Sequence, residues 1–97
     1  MKFENQELKT SFSVSDEPTA RQVLQYDSVV ELQGFGDNLY ERLWNGLKYM
    51  VADWESEYVN PNQSLDEVKG NEAIDIIKWA GLSVFSFRQS LKEIPKN

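Results

Sequence analysis

Catalysis near neutral pH usually draws on a histidine, a thiolate or a carboxylate held in an unusual setting. This chain of 97 residues contains neither His nor Cys. That removes disulfides, thiolate nucleophiles, Cys/His zinc sites and the usual general base together. Carboxylates and hydroxyls remain. Asp53, Glu55 and Glu57 alternate in "DWESE", but a calcium loop needs the fuller D-x-D-x-D-G pattern with a distal Glu. On a helix only Asp53 and Glu57 would be neighbours. Paired carboxylates for hydrolysis need a cleft and a raised pKa, and the acids here fall on outer faces. No Ser stands in a strained-turn motif such as G-x-S-x-G. "GFGDN" (34–38) lacks the third Gly, the Lys and the preceding strand of a phosphate loop, and reads as a helix–helix connection. The chain is therefore expected to be no enzyme, with no catalytic, cofactor or metal residues and no small-molecule substrate.

Binding is the remaining use for its side chains. Aromatic residues make up 12% of the sequence, and "LYERLWNGLKYMVADWESEYV" (39–59) holds two of the three Trp and three of the four Tyr. Base-stacking modules set such rings in a basic groove, which this composition does not supply. Residues 1–70 carry 13 acids against 6 bases, and residues 71–97 carry 3 against 4. With a formal net charge of −6, nucleic acid is not expected as a partner, because counterion release needs Lys and Arg on the phosphates.

The elements that would position the rings follow from periodicity. "ELKTSFSV" alternates, with Leu8, Thr10, Phe12 and Val14 on one face, the period of a half-buried strand. A hairpin turning near Asn5-Gln6 would pair it with the N-terminus. Thr19-x-x-Gln22 is a capping box that opens a helix carrying Ala20, Val23, Tyr26 and Val30, ended by the glycines of "GFGD". Asn38-x-x-Glu41 opens a second helix. At about 100° per residue, Leu39, Tyr40, Leu43, Trp44, Leu47, Met50, Val51 and Trp54 share one core-facing stripe of that helix, which is expected to run to near Tyr58. Tyr49 points away from the stripe. Ser64-x-x-Glu67 starts a short helical turn ended by Gly70, and Asn71 is placed to cap a last helix that runs to about Lys92 before Pro95.

That last helix is apolar around much of its circumference. Ala73, Ile76, Ile77, Ala80, Val84, Phe87 and Leu91 form its main stripe, Ile74 and Phe85 flank it, and Trp79 and Leu82 lie around the back. Ser83, Ser86 and Ser90 make a small-residue face beside Trp79, on which another backbone could pack closely. Such a helix is either central or part of an intermolecular surface. Tyr49, Trp79, Leu82 and Phe85 are thus the candidate partner-interface residues. The expected fold is mostly α: three main helices plus a short helical turn, with a short N-terminal β strand or hairpin, in one domain spanning 1–97.

No run approaches the ~20 apolar residues of a membrane helix, and "MKFENQELK" lacks the apolar segment of a signal peptide. A cytoplasmic location and no membrane partner are expected.

Three stretches, "EPTARQVLQYDSVVEL", "LYERLWNGLKYMVADWESEYV" and "IIKWAGLSVFSFRQSLKEIPKN", together resemble the small tail assembly proteins of long-tailed phages and prophages. The resemblance covers Pro18 to Asn97 in order and rests on pattern: a P-T-x-R-Q helix start, a helix with two Trp before an acidic segment, and an ending in L-x-x-I-P-K-N. It implies a small, mostly helical, non-enzymatic tail assembly chaperone in the cytoplasm of a bacterial host. Such a protein binds the aggregation-prone tape measure protein, with the tail tube protein as a second candidate partner, and is expected to form a homo-oligomer. The family has no catalytic residues to carry over. An alternative from the charge alone is an acidic phage or bacterial inhibitor or adaptor that occupies a basic site on a partner protein.

Overall fold

The computed structural model describes residues 1–32 and 38–92. The connection expected over 34–37 and the stop at Pro95 lie outside the described residues. Strands β1 (Lys2–Asn5) and β2 (Thr10–Val14) form an antiparallel hairpin, with Phe3 opposite Phe12 and Asn5 opposite Thr10. In the turn between them the Leu8 amide donates to Asn5 Oδ1 (3.1 Å) and the Lys9 amide donates to the Gln6 carbonyl (3.2 Å). The alternation of β2 is realised: Thr10, Phe12 and Val14 are buried, while Ser11 and Ser13 are only half-buried.

Helix α1 (Ala20–Asp27) opens on the expected capping box. The Gln22 amide donates to Thr19 Oγ1 (3.2 Å), and the Thr19 amide donates to Gln22 Oε1 (2.9 Å). Two of the otherwise orphan amides of the first turn are thereby satisfied. A wider π-helical turn, Ser28–Leu32, prolongs α1. Tyr26 and Val30 face the core as expected, whereas Ala20 is exposed and Val23 half-buried.

The second helix departs from expectation. Helix α2 spans only Leu39–Leu47 and is capped by Asn38, whose Oδ1 accepts from the Glu41 amide at 2.8 Å. It ends in a tightened turn, with the Tyr49 amide on the Gly46 carbonyl and the Met50 amide on the Leu47 carbonyl. Residues Val51–Ser56 form a third strand, β3, antiparallel to β2 in the order β1-β2-β3. The physical reason lies in a bulge. Ser11 opposes Glu55 while Ser13 opposes Ala52, so β3 carries one extra residue there. Asp53 sits in the bulge with φ +53°, and its carboxylate accepts from Ser13 Oγ at 3.1 Å. The bulge leaves Val51 and Trp54, three residues apart, both half-buried on either side of the exposed Ala52 and Asp53. That spacing is also helical, so the same residues read as part of a helical stripe in the sequence.

Leu39 and Tyr40 are corrected as well. They are 45% and 38% exposed, outside the core that the stripe assigned them. After a 3-10 turn, Leu65–Glu67, capped by Ser64, helix α3 runs Asn71–Lys92. Asn71 is its first residue and not its cap. Gly70, at φ +104°, holds the preceding position, and its carbonyl accepts from the Ile74 amide.

The core lies between the sheet and the helices. Ala73, Ile76, Ala80, Val84 and Phe87 of α3 are buried in it with Leu43, Trp44 and Leu47 of α2 and Phe12 and Val14 of β2. Helix α3 is central: it packs along α2 on one side and meets the sheet on another, which accounts for its apolar breadth. Fold class is thus three helices and a 3-10 turn on a three-stranded antiparallel sheet, mostly helical.

Candidate functional site

Phe12 is the hub that positions the candidate surface. Its ring stacks on Phe3 (5.1 Å between centroids) and on Trp54 (5.4 Å), and Trp79 meets it edge-on at 5.4 Å. Trp54 in turn meets Trp44 edge-on at 5.8 Å and donates its Nε1–H to the Val59 carbonyl at 2.8 Å. Trp54 therefore belongs to the core cluster, though from a strand. Aromatic contacts of these two kinds each add about 0.5–1.5 kcal/mol beyond burial of area.

Beyond Trp79 the surface opens into a groove of about 510 Å³ between β1 and α3. Met1 and Phe3 form one wall; Trp79, Leu82, Ser83, Ser86, Phe87 and Ser90 form the other. Among the described residues no charged side chain lines it. Ser90 donates its hydroxyl to the Phe87 carbonyl of its own helix at 2.6 Å, so this serine offers the groove little more than a methylene. Leu82 is 43% exposed at the rim, a large aliphatic side chain left in water.

Of the four residues singled out from sequence, the fold brings Trp79 and Leu82 together here and leaves Tyr49 and Phe85 elsewhere. Phe85 is half-buried against the core and is absent from the groove lining. Tyr49 is not on a helix: it stands in the turn after α2, half-buried, with Lys48 Nζ 5.3 Å from its ring centroid. Its backbone carbonyl accepts from Gln22 Nε2 at 3.3 Å, which ties the turn to α1. The reading of Tyr49 as a helix-surface ring lapses with the helix that it assumed.

Met1 and Phe3 were missed as groove residues. The available signal was the alternation of Phe3 between Lys2 and Glu4, continued across the hairpin onto Phe12. A second apolar patch was also missed. Tyr40, Leu65, Ile74 and Ile77 line a smaller pocket of about 270 Å³, with Lys78 Nζ 5.3 Å from the Tyr40 ring centroid.

Titratable groups with shifted pKa values lie away from both surfaces. Hydrogen bonds from Arg88 hold the Asp27 carboxyl below its ordinary value, and Asp27 in turn raises Arg88. Burial, followed by the charge of Asp27, pushes the Tyr26 phenol well above its usual value; its hydroxyl has no hydrogen-bond partner among the described residues. These groups join α1 to α3 and border neither groove. Among the described residues no three of His, Cys, Asp or Glu gather where a metal ion could be held, and no helix is long and apolar enough to cross a membrane.

Comparison of the chain with family models, curated proteins and solved structures found no match.

Proposed function

We propose that this protein is a non-enzymatic assembly chaperone of a long-tailed phage or prophage, acting in the cytoplasm of the bacterial host. It holds the tape measure protein soluble while tube subunits polymerise around it. The observation that carries the reading is the groove along α3, lined by apolar and serine side chains among the described residues, with Leu82 exposed at its rim and Trp79 in its wall. Large apolar side chains beside a shaped depression are how proteins anchor a partner. A formal charge of −6 keeps such a surface soluble. The order of sequence patterns from Pro18 to Asn97 supplies the identity of the client.

The experiment is co-expression with the tape measure protein encoded beside it. The chaperone should raise the soluble yield of that protein and co-purify with it at both 0.1 and about 1 M salt, where surface charge pairs are screened. Leu82→Glu should abolish co-purification without lowering the melting temperature. A second reading is favoured by the exposed acids Asp53, Glu55 and Glu57 at one end of the sheet: an acidic inhibitor or adaptor seated on a basic site. Binding that survives Leu82→Glu and collapses as salt rises would select it and reject the chaperone.

A further inference from the structure

The two edges of the sheet are not alike. Strand β3 presents a bulge with a positive-φ Asp53 and exposed acids, which are devices that discourage edge pairing. Strand β1 has neither a bulge nor, among the described residues, a strand on its outer side.

Its backbone polarity follows from the ladder. Met1 and Val14 exchange both backbone hydrogen bonds, at 2.9 and 2.7 Å. Hydrogen-bonded pairs alternate along an antiparallel ladder, so Phe3 and Asn5 also turn their N–H and C=O groups inward to β2. Lys2 and Glu4 turn theirs outward. Their side chains are exposed and lie on the face of the sheet away from Phe3.

We propose that the partner of this edge is a second copy of the chain, with the two β1 strands pairing antiparallel about a twofold axis at Phe3, so that Lys2 of each copy faces Glu4 of the other. Charge selects both occupant and register. Only registers that set outward-facing residues opposite each other can form the bonds, and neighbouring ones of these differ by two residues. One such slip sets Lys2 against Lys2, the other Glu4 against Glu4. Only the register centred on Phe3 makes two opposite-charge pairs. A lone edge lysine normally repels a second strand; here the residue two positions on is its complement. The axis of an antiparallel pair is normal to the sheet, so both α3 helices lie on the same face. The two β1–α3 grooves then adjoin across paired Phe3 rings. This enlarges the surface proposed for the client, although the pairing does not depend on that proposal.

Sedimentation equilibrium of the full chain tests it, with melts to show that each variant folds. The wild type should dimerise reversibly. Lys2→Glu and Glu4→Lys each turn two attractive cross-strand pairs into repulsive ones and should each weaken dimerisation about tenfold or more. The double variant Lys2→Glu/Glu4→Lys should assemble like the wild type. An equimolar mixture of the two single variants should form heterodimers, which restoring an ion pair within one strand cannot explain. A monomeric wild type, single variants that assemble like the wild type, or single variants that stay apart when mixed would each overturn the proposal. Amide exchange on the wild type gives a reading free of mutation. Lys2 and Glu4 amides should be protected at dimer concentrations and lose protection on dilution; fast exchange at every concentration overturns the pairing.

Discussion

Arg88 grips Asp27 with two parallel hydrogen bonds, Nε to Oδ1 at 2.9 Å and Nη2 to Oδ2 at 2.7 Å, across 61 residues of chain. Both side chains are largely out of water, with exposures of 14% and 21%. A planar, two-pronged pair of this kind is stronger and more directional than a surface ion pair. It fixes the end of α1 against the last turns of α3, where the more exposed Lys92–Glu31 pair at 2.9 Å lies one helical turn further along.

Asp27→Asn should lower stability by about 2 kcal/mol, since it leaves a half-buried guanidinium with a weaker partner. The same pair predicts a pH dependence. Arg88 holds the Asp27 pKa below its unfolded value, so the stabilisation is complete above the ordinary carboxylate range. It is lost as pH falls through the lowered pKa. Urea melts between pH 7 and pH 2 should show an acid loss of stability that is shallower in Asp27→Asn.

Gly46 lies on α2 where a Cβ would stand 3.0 Å from Cδ2 and Cε2 of Tyr26 and 3.0 Å from Cγ2 of Val30. Both neighbours are buried and neither is a flexible chain end. Gly46→Ala gains up to about 1 kcal/mol in helix propensity, but overpacking of this kind costs about 1–3 kcal/mol. The net effect in a thermal melt should be destabilising. An unchanged or higher melting temperature would mean that α1 and α2 are less closely packed than these distances state.

Asp53 holds a backbone conformation with φ +53°, which a β-branched residue adopts only with strain. Asp53→Val should therefore destabilise the protein by about 1–3 kcal/mol. Asp53→Gly should be nearly neutral, because relief of the backbone offsets loss of the Ser13 hydrogen bond. If position 53 were helical, as its sequence setting suggested, glycine would be the more damaging replacement; chemical denaturation of the two variants separates the cases.

Trp79 and Leu82 share the groove but not its energetics. Trp79 is half-buried and meets Phe12 edge-on, so Trp79→Ala should cost about 3 kcal/mol of stability as well as partner affinity. Leu82 is 43% exposed, and Leu82→Ala should leave the melting temperature within about 2 °C of wild type while still weakening client binding. Equal thermal losses in the two would show that Leu82 is a core residue and no anchor.

Local signals in the sequence were read correctly where local physics governs. The Thr19–Gln22 capping box, the alternation through Thr10, Phe12 and Val14, and the main stripe of α3 each follow from interactions within a few residues or from a long unbroken period. The breadth of apolar surface on α3 was compatible with a central helix or an intermolecular surface; the structure shows it central, with Trp79 half-buried and Leu82 exposed on a side that remains partly open. What only the tertiary structure decided is the fate of 48–59. There the apolar spacing fits a helix and a bulged strand equally well, and pairing with β2, about forty residues away in the chain, selects the strand. That one choice moved Trp54 from a helical stripe to the aromatic stack on Phe12 and took Tyr49 off the surface of a helix. The same pairing defined which edge of the sheet stays open. A periodicity records only which residues turn the same way; whether they do so through 3.6 residues per turn or through one extra residue in a ladder is settled by the partner strand, which lies elsewhere in the sequence.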